Sequence, residues 1–213
     1  MMYLLDVNVL IAVAYDNHSL HDRTAHWVQE VQSANLPARS FVTCSMVELG
    51  FIRIAPGKKG LASNLAAARA DLSRIRAALG FEVLGDSLRG NQLPDWVTRP
   101  DQTTDGHLLQ LANHHQVRFA TLDAGIPGAE LIPYERGLPL EVRDSANQRN
   151  FDMTTEGRFV SFENYTGEPG TIPGEPDPRW TIDPKTGFPC VRATPGVKKI
   201  TTEDVKRWLE DFP

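Results

Sequence analysis

Short apolar segments alternate with helical repeats over the first 132 residues, and this alternation constrains the fold more than any other feature. The clearest helical repeat covers residues 61–79, where apolar side chains recur every three or four positions before Gly80, a common helix end. Strands that alternate with helices form a parallel sheet covered on both faces, so we expect an α/β domain. The predicted strands are residues 3–5, 39–43, 81–84, 117–121 and 130–132.

Four carboxylates occupy unusual places in this pattern. Asp6 and Asp123 directly follow predicted strands, Asp105 lies in the first turn of a predicted helix, and Glu48 interrupts an apolar helix face. Each has an ordinary alternative as a turn residue or a helix charge. Binding residues in parallel sheets gather beyond the carboxyl ends of the strands, and carboxylates that converge there are tolerated mainly around a cation. The pattern therefore predicts a divalent-metal site that hydrolyses nucleic acid.

Overall composition narrows the class of protein. The formal net charge of −5 is not typical of a surface that binds phosphates, although acidic metal ligands contribute to it. Cys44 and Cys190 stand far apart, which argues against a disulfide scaffold or a zinc site. The chain has no apolar run of membrane-spanning length and no basic leader at its start, so we expect a cytoplasmic protein without a membrane segment.

The order of these motifs resembles a PIN domain over residues 2–132, and especially the VapC-type toxins of bacterial toxin–antitoxin pairs. The resemblance implies a PIN-like three-layer fold, with a central parallel sheet flanked by helices. It also implies a Mg²⁺- or Mn²⁺-dependent endoribonuclease that cleaves RNA, forms a homodimer and is inhibited by an antitoxin protein. The matching stretches are residues 3–10, 47–53, 104–112 and 119–123.

Site roles follow from the same resemblance. Asp6, Glu48 and Asp105 would hold the principal metal ion, and Asp123 would complete the catalytic cluster. The supporting candidates are Asn8 and Thr121.

Three basic residues, Arg53, Lys58 and Lys59, follow the Glu48 helix and are candidates for binding the RNA backbone. The alternative is a solvated basic loop.

The composition changes after residue 143, since residues 151–200 contain seven prolines and six glycines. We therefore divide the chain into a PIN-like nuclease domain at 1–143 and an irregular arm at 144–213. The arm ends in a short amphipathic helix that begins near Thr201 or Thr202. It could pack on its own domain or a dimer mate, dock another protein, or act as an intramolecular antitoxin-like segment. In the last case Arg179 or Arg192 would reach into the acidic site.

Other functions compete with a toxin. A metal-dependent phosphatase would need a second aspartate in a DxD pattern after the first strand, but Asn8 stands there. A non-catalytic or autoinhibited PIN-type binding protein and an RNA-processing nuclease without a toxin role both stay open.

Overall fold

A five-stranded parallel sheet forms the centre of the protein, in the strand order β3-β2-β1-β4-β5. The computed structural model describes residues 2–34, 40–56, 61–132, 177–194 and 196–210. The strands of the sheet are β1 (Tyr3–Leu5), β2 (Phe41–Cys44), β3 (Glu82–Leu84), β4 (Arg118–Thr121) and β5 (Glu130–Leu131). The helices are α1 (Val7–Ala14), α2 (His21–Ala34), α3 (Ser45–Ile54), α4 (Leu65–Leu79), α5 (Thr103–His114) and α6 (Thr202–Glu210).

The middle strand, β1, lies between β2 and β4 and is buried on both faces. Its residue Leu4 pairs in register with Val42 of β2 and with Phe119 of β4, and all three side chains are at most 3% exposed. Helix α1 follows directly, and every one of its residues is buried. Continuous apolar runs such as these are typical of parallel strands and core helices. The predicted α/β class, with a sheet flanked by helices, is therefore confirmed.

One predicted helix boundary is wrong in detail. Helix α4 begins at Leu65 rather than at residue 61, because the side chain of Asn64 accepts a hydrogen bond from the backbone N–H of Ala67 at 2.9 Å and caps the helix. It ends as predicted at Gly80, whose φ of 65° is left-handed. Helix α5 begins at Thr103, whose hydroxyl donates to the carbonyl of Pro100 at 2.7 Å, and Asp105 lies in its first turn as predicted.

The described part of the arm contains an antiparallel hairpin and α6. Strands β6 (Trp180–Ile182) and β7 (Pro189–Val191) form the hairpin, and Val191 also bridges Tyr15 after α1. The predicted division at residue 143 lies outside the described residues.

A buried aspartate fastens the hairpin to α4. Asp71 is fully buried and accepts hydrogen bonds from the hydroxyl of Tyr15, the indole N–H of Trp180 and the guanidinium of Arg179. Burial of a carboxylate requires such compensation. The arm thus packs on its own domain.

None of the described helices combines the length and the hydropathy of a membrane-spanning segment.

Candidate active site

Asp6 and Asp123 meet at the carboxyl ends of two neighbouring strands. Asp6 follows β1 directly, and Thr121 ends the adjacent β4. The hydroxyl of Thr121 donates to Oδ2 of Asp6 at 2.7 Å and accepts from the backbone N–H of Asp123 at 3.1 Å. Thr121 thereby positions both aspartates at the sheet edge where α/β proteins bind ligands.

Asp105 joins this pair through electrostatics. Burial, followed by the charges of Asp6 and Asp123, raises the pKa of Asp105 to about 7. Burial likewise raises the pKa of Asp6, and the charge of Asp123 adds to that rise, while the hydrogen bond from Thr121 opposes it. Mutual repulsion of this kind is what converging carboxylates produce, and it is typical of functional sites. We call Asp6, Asp105 and Asp123 the aspartate cluster.

Glu48 is turned toward a different partner. It lies in the first turn of α3 and forms an ion pair with the guanidinium of Arg76 on α4. Three of the four predicted carboxylates therefore interact electrostatically at this edge of the sheet, and the fourth is paired with an arginine.

Asn8 supplies an oxygen that has no protein partner. Its side chain is 3% exposed and adjoins Asp6, yet its Oδ1 atom accepts no hydrogen bond. Buried polar atoms without partners are rare, and they often mark a place for a water or an ion. An amide oxygen beside carboxylates suits Mg²⁺ or Mn²⁺, which prefer oxygen ligands. The donor set thus fits a hard divalent cation.

A lysine from the C-terminal helix, not predicted from the sequence, contacts the aspartate cluster. Lys206 of α6 forms an ion pair with Oδ2 of Asp123, and its charge lowers the pKa of Asp105, opposing the larger effects that raise it. The arginines predicted for this place lie elsewhere: Arg179 binds Asp71 and Asp177, and Arg192 donates to Thr181. The signal available in the sequence was a basic residue on an amphipathic helix that needs a surface to cover.

The predicted RNA-binding residues are only partly described. The guanidinium of Arg53 donates to the carbonyl of Leu209 in α6 at 3.3 Å. Lys58 and Lys59 lie outside the described residues.

Another acidic group lies where α2 meets the hairpin. Among the described residues, His21, Asp22 and Asp183 form the group of three whose possible ligand atoms lie within 4.8 Å of one another. Asp22 is paired with the ammonium of Lys185 at 3.1 Å, and Asp183 accepts from the hydroxyl of Thr186 at 2.7 Å. Through the contact between His21 and Asp183 at 3.6 Å, the group also links α2 to the hairpin. The aspartate cluster is more open than this group, because its three ligand atoms do not all approach so closely.

Comparison with known proteins identifies relatives of the chain. No protein-family model matches it. It is 40% identical to Ribonuclease VapC38 of Mycobacterium tuberculosis over 129 residues, which are 59% of this chain and 87% of that protein. It is 34% identical to Ribonuclease VapC29 of the same organism over 128 residues, which are 59% of this chain and 89% of that protein. For Ribonuclease VapC44 of that organism the identity is 32% over 143 residues, covering 61% and 94% of the two chains.

These relatives confirm the resemblance found in the sequence motifs. Because the identity to one of them reaches 40% and the match covers 87% of its length, the chain belongs to the VapC family of ribonucleases.

Proposed function

We propose that this protein is a Mg²⁺- or Mn²⁺-dependent endoribonuclease and the toxin of a toxin–antitoxin pair. The observation that carries the proposal is the aspartate cluster at the sheet edge, next to the unpartnered oxygen of Asn8. The relatives, each called a ribonuclease, support RNA as the substrate.

The aspartate cluster would hold the cation. Glu48 would become a further ligand if its carboxylate left Arg76 and bound the cation instead. When bound, such an ion neutralises charge on the phosphoryl oxygens and lowers the pKa of a bound water. Two oxygens outside the cluster would complete the site: that of Asn8, and that of Thr121, which keeps Asp6 in place.

Residues of the chain perform the remaining tasks. Without a cation the pKa of Asp105 is about 7, and the carboxyl has to lose its proton before it can bind one, so cation binding should strengthen as the pH rises toward 7. Arg53 stands in the last turn of α3, five residues beyond Glu48, where a guanidinium can bind a backbone phosphate, and Lys58 and Lys59 would extend this surface.

We further propose that residues 1–143 form the nuclease domain, that an antitoxin protein is the partner, and that the toxin is a homodimer. Met46 and Leu49 support a dimer face on α3, since these large apolar side chains are 38% and 66% exposed. Sedimentation of the wild type and of Leu49→Lys tests that face, because a dimer built on it would dissociate in the variant.

The activity is tested on structured RNAs with Mg²⁺, with Mn²⁺ or with EDTA. Cleavage should require the cation and should fall at least 100-fold in Asp6→Asn and Asp105→Asn, as loss of an essential ligand predicts. Asp101→Asn is the matched control, because Asp101 is exposed and paired with Arg99. The panel is repeated with Lys206→Met, so that the ion pair with Asp123 cannot conceal activity.

Metal-dependent cleavage that persists in Asp6→Asn and Asp105→Asn would show that the site is wrong. Cation binding without any cleavage would favour a non-catalytic binding protein. Cleavage of one precursor RNA without growth arrest on expression would favour an RNA-processing nuclease.

A further inference from the structure

The C-terminal helix lies against the same carboxylates that the cation requires. We propose that α6 and the divalent cation compete for the aspartate cluster, so that Lys206 closes the site and cation binding releases the helix. This inference rests on the proposed cation site, and it adds a regulation built into the chain itself.

Charge is the first support. The ammonium of Lys206 is paired directly with Asp123, whose side chain is only 13% exposed, and its field reaches Asp105. Among three repelling carboxylates, a positive group relieves the repulsion that a cation would otherwise relieve. Lys206 and the cation therefore compete for the carboxylate of Asp123.

Apolar packing places the helix over the site. Gly50 on α3 has no side chain, and a Cβ atom built there would lie 3.7 Å from Leu209 and 2.8 Å from Val7. The bare glycine lets α6 approach α3 and the start of α1 closely. Val205, one turn earlier in α6, is fully buried. The helix thus lies against the start of α1, which directly follows Asp6, and against the middle of α3.

The same helix also contacts a residue proposed to bind the substrate. Arg53, the predicted phosphate ligand, donates to the carbonyl of Leu209 in the last turn of α6. A backbone phosphate at Arg53 would compete with this carbonyl for the guanidinium. One short helix therefore contacts Asp123, a proposed cation ligand, through Lys206, and Arg53, a proposed phosphate-binding residue, through its backbone.

The two ends of the helix are held differently, which allows it to open without leaving. Before α6, Ile200 is fully buried and exchanges backbone hydrogen bonds with Asn17 and Ser19 at 3.0 and 2.8 Å. The first turn is closed by Thr201, whose hydroxyl accepts from the backbone N–H of Asp204. By contrast, Trp208 and Leu209 in the last turns are only half-buried. We expect opening to begin at the last turns, because local opening follows the least buried contacts.

Competition for one site implies reciprocal effects. If the cation binds only when Lys206 leaves, loss of Lys206 should raise the affinity for the cation, and the cation should expose α6. A coupling of ordinary size changes affinity by about ten-fold.

The test uses the full chain with Mn²⁺ or Mg²⁺ alone and no RNA. Calorimetry should show Mn²⁺ binding about ten-fold tighter in Lys206→Met than in the wild type. Lys199→Met is the matched control, since Lys199 is exposed in the same arm and its loss removes the same charge; its affinity should equal that of the wild type. Lys206→Arg keeps the charge and should stay close to the wild type. Hydrogen exchange of the α6 amides should accelerate when Mg²⁺ is added to the wild type.

Three results would overturn the proposal: equal affinities in Lys206→Met and Lys199→Met, unchanged α6 exchange at saturating cation, or weaker binding in Lys206→Met. The last result would make Lys206 a member of the cation site. Because both readouts omit RNA, they separate this proposal from the nuclease function. Cation-driven opening without any RNA cleavage would uphold the competition and refute only the nuclease.

Discussion

Replacing Asp105 with asparagine should stabilise the cation-free protein while it abolishes cation binding. In the fold, burial and the charges of Asp6 and Asp123 raise the pKa of Asp105 from 3.8 to about 7. The folded state therefore binds a proton more tightly than the unfolded state. The stability that this proton contributes is complete below the unfolded pKa and is lost as the pH rises from about 4 to about 7.

The size of the effect follows from that pKa shift. Roughly three pKa units correspond to about 4 kcal/mol, since one unit is 1.36 kcal/mol. Asp105 is partly exposed, so solvent screening reduces this figure, and asparagine also loses a favourable charge at the start of α5. We expect Asp105→Asn to gain about 1–2 kcal/mol of unfolding free energy at pH 8 in EDTA.

Urea unfolding at pH 8 and at pH 4, with EDTA, measures this gain. The gain should be present at pH 8 and absent at pH 4, where the wild-type carboxyl is protonated. Asp101→Asn provides the control and should show far less gain, because Asp101 is exposed, is paired with Arg99 and makes the smallest of the contributions to the pKa of Asp105. With saturating Mg²⁺, only the wild type should gain stability. A loss of stability at pH 8, or an equal gain at both pH values, would refute the account of the cluster as mutually repelling carboxylates.

Three further perturbations test the surrounding structure. Burial, with the charge of His21 as a smaller cause, lowers the pKa of His18 to about 4. The free energy of unfolding measured in urea should therefore fall by up to about 3 kcal/mol as the pH decreases from 6.5 to 4, and this loss should disappear in His18→Asn. Gly106→Ala would place a Cβ atom 2.4 Å from Val97 and should cost about 1–3 kcal/mol, whereas Gly85→Ala, with no atom within 4 Å, should cost far less; equal costs would contradict the steric reasoning. Asp71→Ala should cost about 3 kcal/mol and should make the arm susceptible to limited proteolysis, because several buried donors lose their acceptor; an arm that stays protected would refute its role as the fastening point.

Local patterns were sufficient to predict most of the architecture. The predicted strands occur in the structure in the predicted order, because apolar runs and helical periodicity depend on neighbours along the chain. The end of α4 at Gly80 is also a local property, since glycine adopts a positive φ without steric cost. The placement of Asp6 and Asp123 after strands followed from the same local reasoning, and the family motifs agreed with it.

Contacts between distant segments determine which hydrogen bonds and ion pairs the carboxylates of the candidate site form. The register of β1 with β4 brings the hydroxyl of Thr121 to Asp6, which no local pattern specifies. Tertiary packing also determines the ion pairs, in which Glu48 binds Arg76 and Asp123 binds Lys206.

By itself, the sequence determined the α/β class, the order of its strands and helices and the positions of the acidic residues, because these depend on local periodicity. It could not determine which basic residue of the arm reaches the aspartate cluster. Arg179 and Lys206 carry the same charge. Arg179 binds the buried Asp71, whereas the packing of α6 against Gly50 places Lys206 next to Asp123. Only the tertiary structure could decide this, because pairing between distant charges depends on which surfaces pack together.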